Sequence, residues 1–248
     1  MSLCLIALIL FAEPDLAAIR ATLDVAERTY DAGAVVVSLE ALDAVEAPSR
    51  DADWRAVRLR SLLLAAELER VRFEQLAASA GKERRELGGR IDAYAEAGLS
   101  EVGLLPETSE SHRIKADLIG AMIRSNHRAG KMKGEMKSAI DAALRLDPGN
   151  AKAVVSRAKM LIFNPAATPA DLEAGLELLE QALGLHPDLE QAALLQAHAW
   201  DQLGEPDKAA AIWRQCLQGN PECNPARRAL QMQESNPVAP RTQEGVKP

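Results

Sequence analysis

The sequence predicts an all-α protein in which antiparallel helix hairpins stack into an α-solenoid. Three observations support this prediction. Aromatic residues are only 3% of the chain while Ala, Leu and Glu recur throughout, a composition that favours close-packed helices over sheet. Five prolines each end an apolar helical pattern, namely Pro48, Pro106, Pro148, Pro187 and Pro221. Their separations are 58, 42, 39 and 34 residues, and 34 residues is the length of one helix–turn–helix repeat.

Composition excludes several classes of protein. The 248 residues suffice for one large domain or two small ones, and 48% hydrophobic residues can form a sizeable core, which rules out wholesale disorder. A formal charge of −7 argues against a nucleic-acid partner, because non-specific binding of nucleic acid needs a basic surface. Three cysteines cannot form a disulfide framework or a closed zinc site by themselves.

The amino terminus carries an uninterrupted apolar run over residues 3–12. Ten residues span about 15 Å as a helix, half of a bilayer core, so we expect no transmembrane span. The length fits the apolar region of a signal peptide ending at Ala12, although no Lys or Arg precedes the run. We therefore treat residues 1–12 as a signal or apolar segment and expect a periplasmic or otherwise exported protein. The alternative is a first helix packed in the core of a cytoplasmic protein.

Residues 13–108 predict degenerate helical repeats. A first pair of helices is expected over 15–31 and 34–47, with a glycine at the turn. The 58-residue interval implies a long helix from Asp53 to about Ser79, followed by a break at an Ala-Gly pair. Residues 86–106 read as the second helix of that unit.

Residues 109–221 repeat a pattern of small, large and turn-forming residues. The last unit contains Ala197, Trp200, Gly204, Ala209, Trp213 and Pro221, with Cys216 at a further small position. The unit before it contains Ala158, Leu161, Ala182 and Pro187, with an additional loop over 164–169. The first contains Gly120, Ile123, Ala139, Ala143 and Pro148. Gly120, Ala158 and Ala197 would let paired helices approach closely, and Asn150 can cap the helix after the Asp-Pro-Gly-Asn turn.

This pattern resembles the tetratricopeptide repeat (TPR), and the resemblance is firm over three units within residues 109–221. It implies a right-handed superhelix of about ten helices, in which the first helices of the pairs line a concave groove. Residues 222–233 are expected to form a capping helix over the last apolar face, and residues 234–248 a disordered tail.

The sequence shows no constellation typical of catalysis. The two adjacent glycines at 88–89 lack the Lys-Ser/Thr of a phosphate-binding loop, and the four histidines have no metal-binding spacing. Ser and Cys residues have no nearby His-containing motif. We therefore expect no enzyme activity, no metal and no cofactor.

Cys216 and Cys223 bracket the last closing turn. If the chain is exported, a disulfide between them could tie the capping helix to the final pair. The alternative is that Cys216 is a small buried residue and Cys223 a half-exposed thiol.

The repeat register selects residues that would face the groove. These candidate partner-binding residues are Arg55, Arg124, Lys152, Val155, Lys159, Leu194 and His198. Arg124, Lys152 and Lys159 would form a locally positive strip that holds an acidic or carboxylate-terminated peptide, while Val155 and Leu194 would take apolar side chains. The alternative is that all are ordinary solvated positions.

The resemblance implies a non-catalytic scaffold or adaptor that binds a protein or peptide. If the chain is exported, we expect it to be an envelope assembly factor or an accessory component of a transporter. Two other hypotheses stay open. The chain could be a helical carrier of a small apolar or anionic ligand, or a structural subunit of a larger complex. The identity of the partner and the oligomeric state do not follow from the sequence.

Overall fold

The structure is a computed structural model that describes residues 15–45, 50–76, 79–164 and 166–235. The apolar segment 1–12 lies outside the described residues, as does the expected tail beyond residue 235. Within the described part, the regular secondary structure consists of eleven α-helices. Their bounds are α1 Leu16–Thr29, α2 Ala32–Asp43, α3 Ala52–Gln75, α4 Gly81–Val102, α5 Ser109–Met122, α6 Asn126–Leu146, α7 Ala151–Ile162, α8 Pro169–Leu185, α9 Glu190–Gln202, α10 Pro206–Gly219 and α11 Asn224–Ser235.

The helices pack in sequence order as antiparallel hairpins. The pairs are α1 with α2, α3 with α4, α5 with α6, α7 with α8, and α9 with α10, and α11 covers α10. The odd-numbered helices also pack on one another from α1 to α9, so they form the inner layer of the stack. Each hairpin contacts mainly its neighbours, which is the arrangement of a solenoid. The predicted all-α solenoid is confirmed.

Polar residues start most helices. The Asn150 side chain accepts a hydrogen bond from the Ala153 amide at 3.0 Å, as the turn pattern predicts. Thr168 forms a reciprocal capping box with Asp171 at the start of α8. Aspartate caps α1, α2 and α3 in the same manner. These contacts are local, so they define the helix boundaries independently of the tertiary fold.

Small residues allow the helices of a pair to approach closely. Ala158 and Ala197 are both 0% exposed. A Cβ atom on Gly120 would lie 3.0 Å from the Met136 Cε on the paired helix, and one on Gly175 would lie 2.7 Å from the Ile162 Cγ1. Both distances are shorter than a favourable carbon–carbon contact. The hairpin interfaces α5–α6 and α7–α8 therefore depend on glycine.

Helix α3 is the central element of the molecule. It has 24 residues, about 36 Å, and its residues from Ser61 to Ala66 are buried on every face of the helix. Its leucines contribute both to the core shared with α1 and α2 and to the core shared with α4 and α5. The helix ends at Gln75, earlier than expected, because the Arg84 guanidinium donates to the Phe73 and Leu76 carbonyls at 3.0 and 2.7 Å.

The superhelix closes on itself at the end of α1. The Tyr30 hydroxyl donates to the Glu190 carboxylate at 2.7 Å, across 160 residues of sequence. The Asn220 amide donates to the Arg28 carbonyl at 3.0 Å, so the last repeat is tied to the first hairpin. We name Tyr30, Glu190 and Asn220 the clasp. The clasp joins the two ends of the described solenoid.

The clasp also corrects the expectation of a half-exposed Cys223. This residue is 0% exposed, and its sulfur lies 4.0 Å from the Tyr30 hydroxyl. Cys216 is buried too, and neither thiol is bridged. The expected exposure of Cys223 was wrong because the first hairpin covers the last turn, a contact that the repeat pattern does not contain.

Candidate functional site: the concave surface

Charged side chains from three inner helices meet on the concave surface. The Lys159 ammonium on α7 donates to the Glu67 carboxylate on α3 at 2.8 Å and lies 3.7 Å from Asp117 on α5. Asp117 accepts hydrogen bonds from Arg113 at 2.5 Å and from Ser156 at 2.8 Å. We name these five residues the central cluster. Arg113 also donates to the Glu110 carboxylate at 2.6 and 2.9 Å, so the two cations of the cluster bind three carboxylates in all.

Helical spacing brings the members of the cluster together. Arg113 and Asp117 are four residues apart on α5, and Ser156 and Lys159 are three apart on α7, so each pair shares a helix face. Glu67 projects from the buried segment of α3. Because α5 packs on both α3 and α7, all five side chains reach one point of the inner surface.

In the central cluster, the pKa values of Asp117 and Lys159 are both shifted away from neutral pH. Burial alone would raise the pKa of Asp117, but the charges of Lys159 and Arg113 outweigh burial and hold the pKa below its usual value. Burial lowers the pKa of Lys159. The charges of Asp117 and Glu67 together raise it by more than burial lowers it, so the net shift is upward. The cluster is therefore an arrangement of fixed charges at neutral pH.

The predicted groove residues on α7 have different surroundings. Lys159 belongs to the central cluster, and its side chain is 17% exposed. Lys152 is exposed. Val155 is 1% exposed and packs in the core between α7, α8 and α9, so its side chain offers no surface to a partner in this conformation.

On α9, the two predicted residues are half-buried. Leu194 packs at the edge of the core formed by the last repeat and α11. The His198 ring lies 5.1 Å from the Phe163 ring, and its Nε2 lies 2.6 Å from the Gln202 amide nitrogen. Burial lowers the pKa of His198 despite the nearby carboxylates of Glu74 and Asp201.

The two remaining predicted residues bind carboxylates on α4, the outer helix of its hairpin. Arg124 donates to Asp92 at 2.7 Å, and Arg55 donates to Glu101 at 3.3 Å. The structure therefore does not bring Arg124, Lys152 and Lys159 together. Only Lys159 lies in the central cluster. A partner-binding role for any of the seven residues stays a prediction.

The sequence reasoning did not select Glu67 and Arg113. Glu67 stands in an otherwise apolar stretch of α3 between Leu62 and Leu68, and a single carboxylate in such a stretch is a signal that could have identified it. The spacing of Arg113 and Asp117 is a second signal, although it fits an exposed ion pair equally well.

Among the described residues, clefts also lie outside the central cluster. One of about 280 Å³ is lined by side chains of α2, α3 and α4, among them Leu39 and Tyr94. Another, of about 400 Å³, lies between the end of α3 and α11.

In the described part of the chain, no helix has both the length and the apolar character that crossing a membrane requires. The same residues hold no group of three or more side chains suited to bind a metal ion.

No protein-family model matches the chain, and no curated protein matches it. Among solved structures, a thermophilic TPR protein of Thermus thermophilus superposes with a TM-score of 0.54 at 15% identity, over 86% of this chain and 97% of that one. The TPR protein YrrB, described as having an unusual peptide-binding site, gives 0.41 at 11% identity over 89% and 100%. The first comparison concerns the fold alone, and it agrees with the resemblance seen in the repeats. The chain has the fold of the tetratricopeptide-repeat proteins.

Proposed function

We propose that the chain is a non-catalytic scaffold that binds a protein or peptide segment on the concave surface of its superhelix. One observation carries the proposal: inner helices of three successive hairpins place charged side chains at one point of that surface. Glu67 and Lys159 are 26% and 17% exposed, so a bound segment could reach them. Charged groups at such a partly desolvated point give orientation and specificity to binding.

The protonation behaviour of the cluster supports binding rather than acid–base catalysis. A general acid or base works best when its pKa lies near the operating pH. The pKa of Asp117 is lowered and that of Lys159 is raised, so both shifts lead away from neutrality. The groups hold their charges and can anchor hydrogen bonds to a partner.

We propose an acidic partner segment that approaches along α7 and α9. Lys152 stands exposed at the start of α7, and Leu194 and His198 on α9 offer partly exposed apolar surface. Charge-assisted hydrogen bonds to the lysines would orient such a segment, and the apolar atoms would contribute burial.

Site-specific photocrosslinking in the native host tests the proposal. A photoreactive amino acid at Lys152 or at Leu194 should capture one protein, with the crosslinked peptide identified by mass spectrometry. The same amino acid at Val37, which is 64% exposed on α2, is the control. Lys152→Glu should weaken capture from Leu194. Equal capture from all three positions, or capture unchanged by Lys152→Glu, would contradict binding on the concave surface.

Export is a separate proposal, supported by the apolar run at residues 3–12. In an exported protein, the scaffold would serve as an envelope assembly factor or as an accessory component of a transporter. Mass spectrometry of the mature amino terminus tests this: cleavage after Ala12 supports export, whereas a retained Met1 in a cytoplasmic fraction contradicts it.

A further inference from the structure

The clasp is the first of several connections that close the groove, and Asn224 and Arg228 on α11 add hydrogen bonds to the Thr29 carbonyl and to the Gln75 side chain. Tyr30 has a positive backbone φ of 58°, and it is the only non-glycine residue of the described part with one. This left-handed conformation ends α1 as a C-terminal cap, in which the backbone amides of Tyr30 and Asp31 both donate to the Ala26 carbonyl. The cap directs the Tyr30 side chain to its hydrogen bond with Glu190 and to its packing against the core of the last repeat.

The second connection runs through Glu67. One oxygen of its carboxylate accepts two hydrogen bonds, one from the Lys159 ammonium at 2.8 Å and one from the Gln191 amide at 3.4 Å. These contacts join α3 to α7 and α9, which face α3 across the groove. The main packing of α3 is with α1, α2, α4 and α5. The link from α3 to α7 and α9 is therefore made by polar side chains, whereas the clasp also includes the packing of Tyr30 against the core of the last repeat.

The groups around the Glu67 carboxylate indicate which kind of ligand would fit in its place. A lysine ammonium and a glutamine amide converge on it, with Arg113 and Asp117 beneath. Both groups are hydrogen-bond donors, so the position suits a carboxylate. Glu67 fills this position from within the chain.

We propose that the groove is a clamp held shut by the clasp. In the closed state, the Glu67 carboxylate occupies the subsite formed by Lys159 and Gln191. When the clamp opens, a partner's carboxylate takes this subsite. This inference rests on the proposed function, since it names the subsite by which a scaffold of this kind would take an acidic segment. Opening breaks these hydrogen bonds and withdraws the Tyr30 ring from the core of the last repeat, while the contacts within each hairpin stay in place, so it can precede global unfolding.

Alkylation of Cys223 by iodoacetamide measures opening without any ligand, because this thiol is buried beneath Tyr30. Tyr30→Phe removes one closing hydrogen bond, and Glu67→Gln removes the negative charge that strengthens two others, so each should raise the rate at Cys223 about fivefold. Cys216 is buried in the same core as Trp213 on its own helix, has no hydrogen bond to Tyr30, and should stay slow in every variant. Glu96→Gln, an exposed carboxylate on α4, is the matched control.

Affinity for a fluorescein-labelled peptide of six glutamates tests the subsite. Glu67→Gln should bind the peptide at least threefold more tightly than the unmodified protein, because the internal competitor loses its charge. Lys159→Gln should bind it more weakly, and Gln191→Ala provides a second variant with less risk to folding. Equal affinities of the unmodified protein and Glu67→Gln overturn the proposal. So does a Cys223 rate that is unchanged in both closing variants, or one that rises in step with Cys216.

The two experiments separate this inference from the proposed function. Faster Cys223 labelling and tighter peptide binding in Glu67→Gln support the clamp even if photocrosslinking in the host captures nothing. Photocrosslinks on the concave surface with unchanged labelling and affinity support the scaffold and overturn the clamp.

Discussion

Replacing Gly175 with alanine probes the close contact between α7 and α8. The added Cβ atom would stand 2.7 Å from the Ile162 Cγ1 and 3.1 Å from its Cδ1, about 1 Å closer than favourable carbon–carbon contacts. Ile162 is β-branched and 1% exposed, so it has little freedom to rotate away. Overpacking of this kind costs about 1–3 kcal/mol.

Gly184 in the same helix provides the control, because a Cβ atom there meets nothing within 4 Å. Both substitutions gain helix propensity, up to about 1 kcal/mol, so this contribution largely cancels between them. We expect Gly175→Ala to be less stable than Gly184→Ala by about 1–3 kcal/mol in urea unfolding followed by circular dichroism. The melting temperatures should differ by roughly 2–4 °C per kcal/mol. Equal stability of the two variants would refute the close approach of α7 and α8.

Further expectations concern packing, pH, capping and thiol chemistry. Ala158→Leu and Ala197→Leu should each cost about 1–3 kcal/mol in thermal melts, because both positions are fully buried; melts equal to the unmodified protein would contradict the register of the repeats. Asp117 has a lower pKa in the folded protein than in the unfolded chain, so its contribution to stability is present above about pH 4 and is lost as pH falls below that value. Asp117→Asn should therefore flatten the pH dependence of the unfolding free energy in acid, and an unchanged slope would show that the carboxylate is not held by its neighbours. Thr168→Ala should cost about 1 kcal/mol through loss of the capping box, measured by urea unfolding. Burial raises the pKa of Cys216 to about 11, so its alkylation at about pH 8 should be slow in the native protein and fast in guanidinium; rapid native labelling would contradict its burial.

The hairpins of the second half could be predicted because their signals are local. Asn150 caps the helix that follows its turn, and Gly204 adopts a φ of 78° that favours glycine. Both features depend on residues within four positions of one another. The small residues at the helix contacts recur at the repeat period, so their spacing alone indicates where paired helices approach.

The candidate site could be predicted only in part. Lys159 was selected from the repeat register, but its partners Glu67 and Asp117 lie 92 and 42 residues away in sequence. Arg124 was selected by the same register, and its guanidinium binds Asp92 instead. A register assigns a residue to a helix face, whereas the direction of a long charged side chain depends on which opposite charge the neighbouring helix supplies.

The amino-acid sequence alone determines the helical class, the stacking of hairpins and the turns between them. It also determines the inner position of α5, α7 and α9. Each of these features depends on contacts within one or two helices. The closure of the superhelix was decided by the tertiary structure. The contact between Tyr30 and Glu190 arises only after the small rotations between successive hairpins have accumulated over the whole stack. Those rotations depend on side-chain packing at every interface, which no periodic pattern of residue types records.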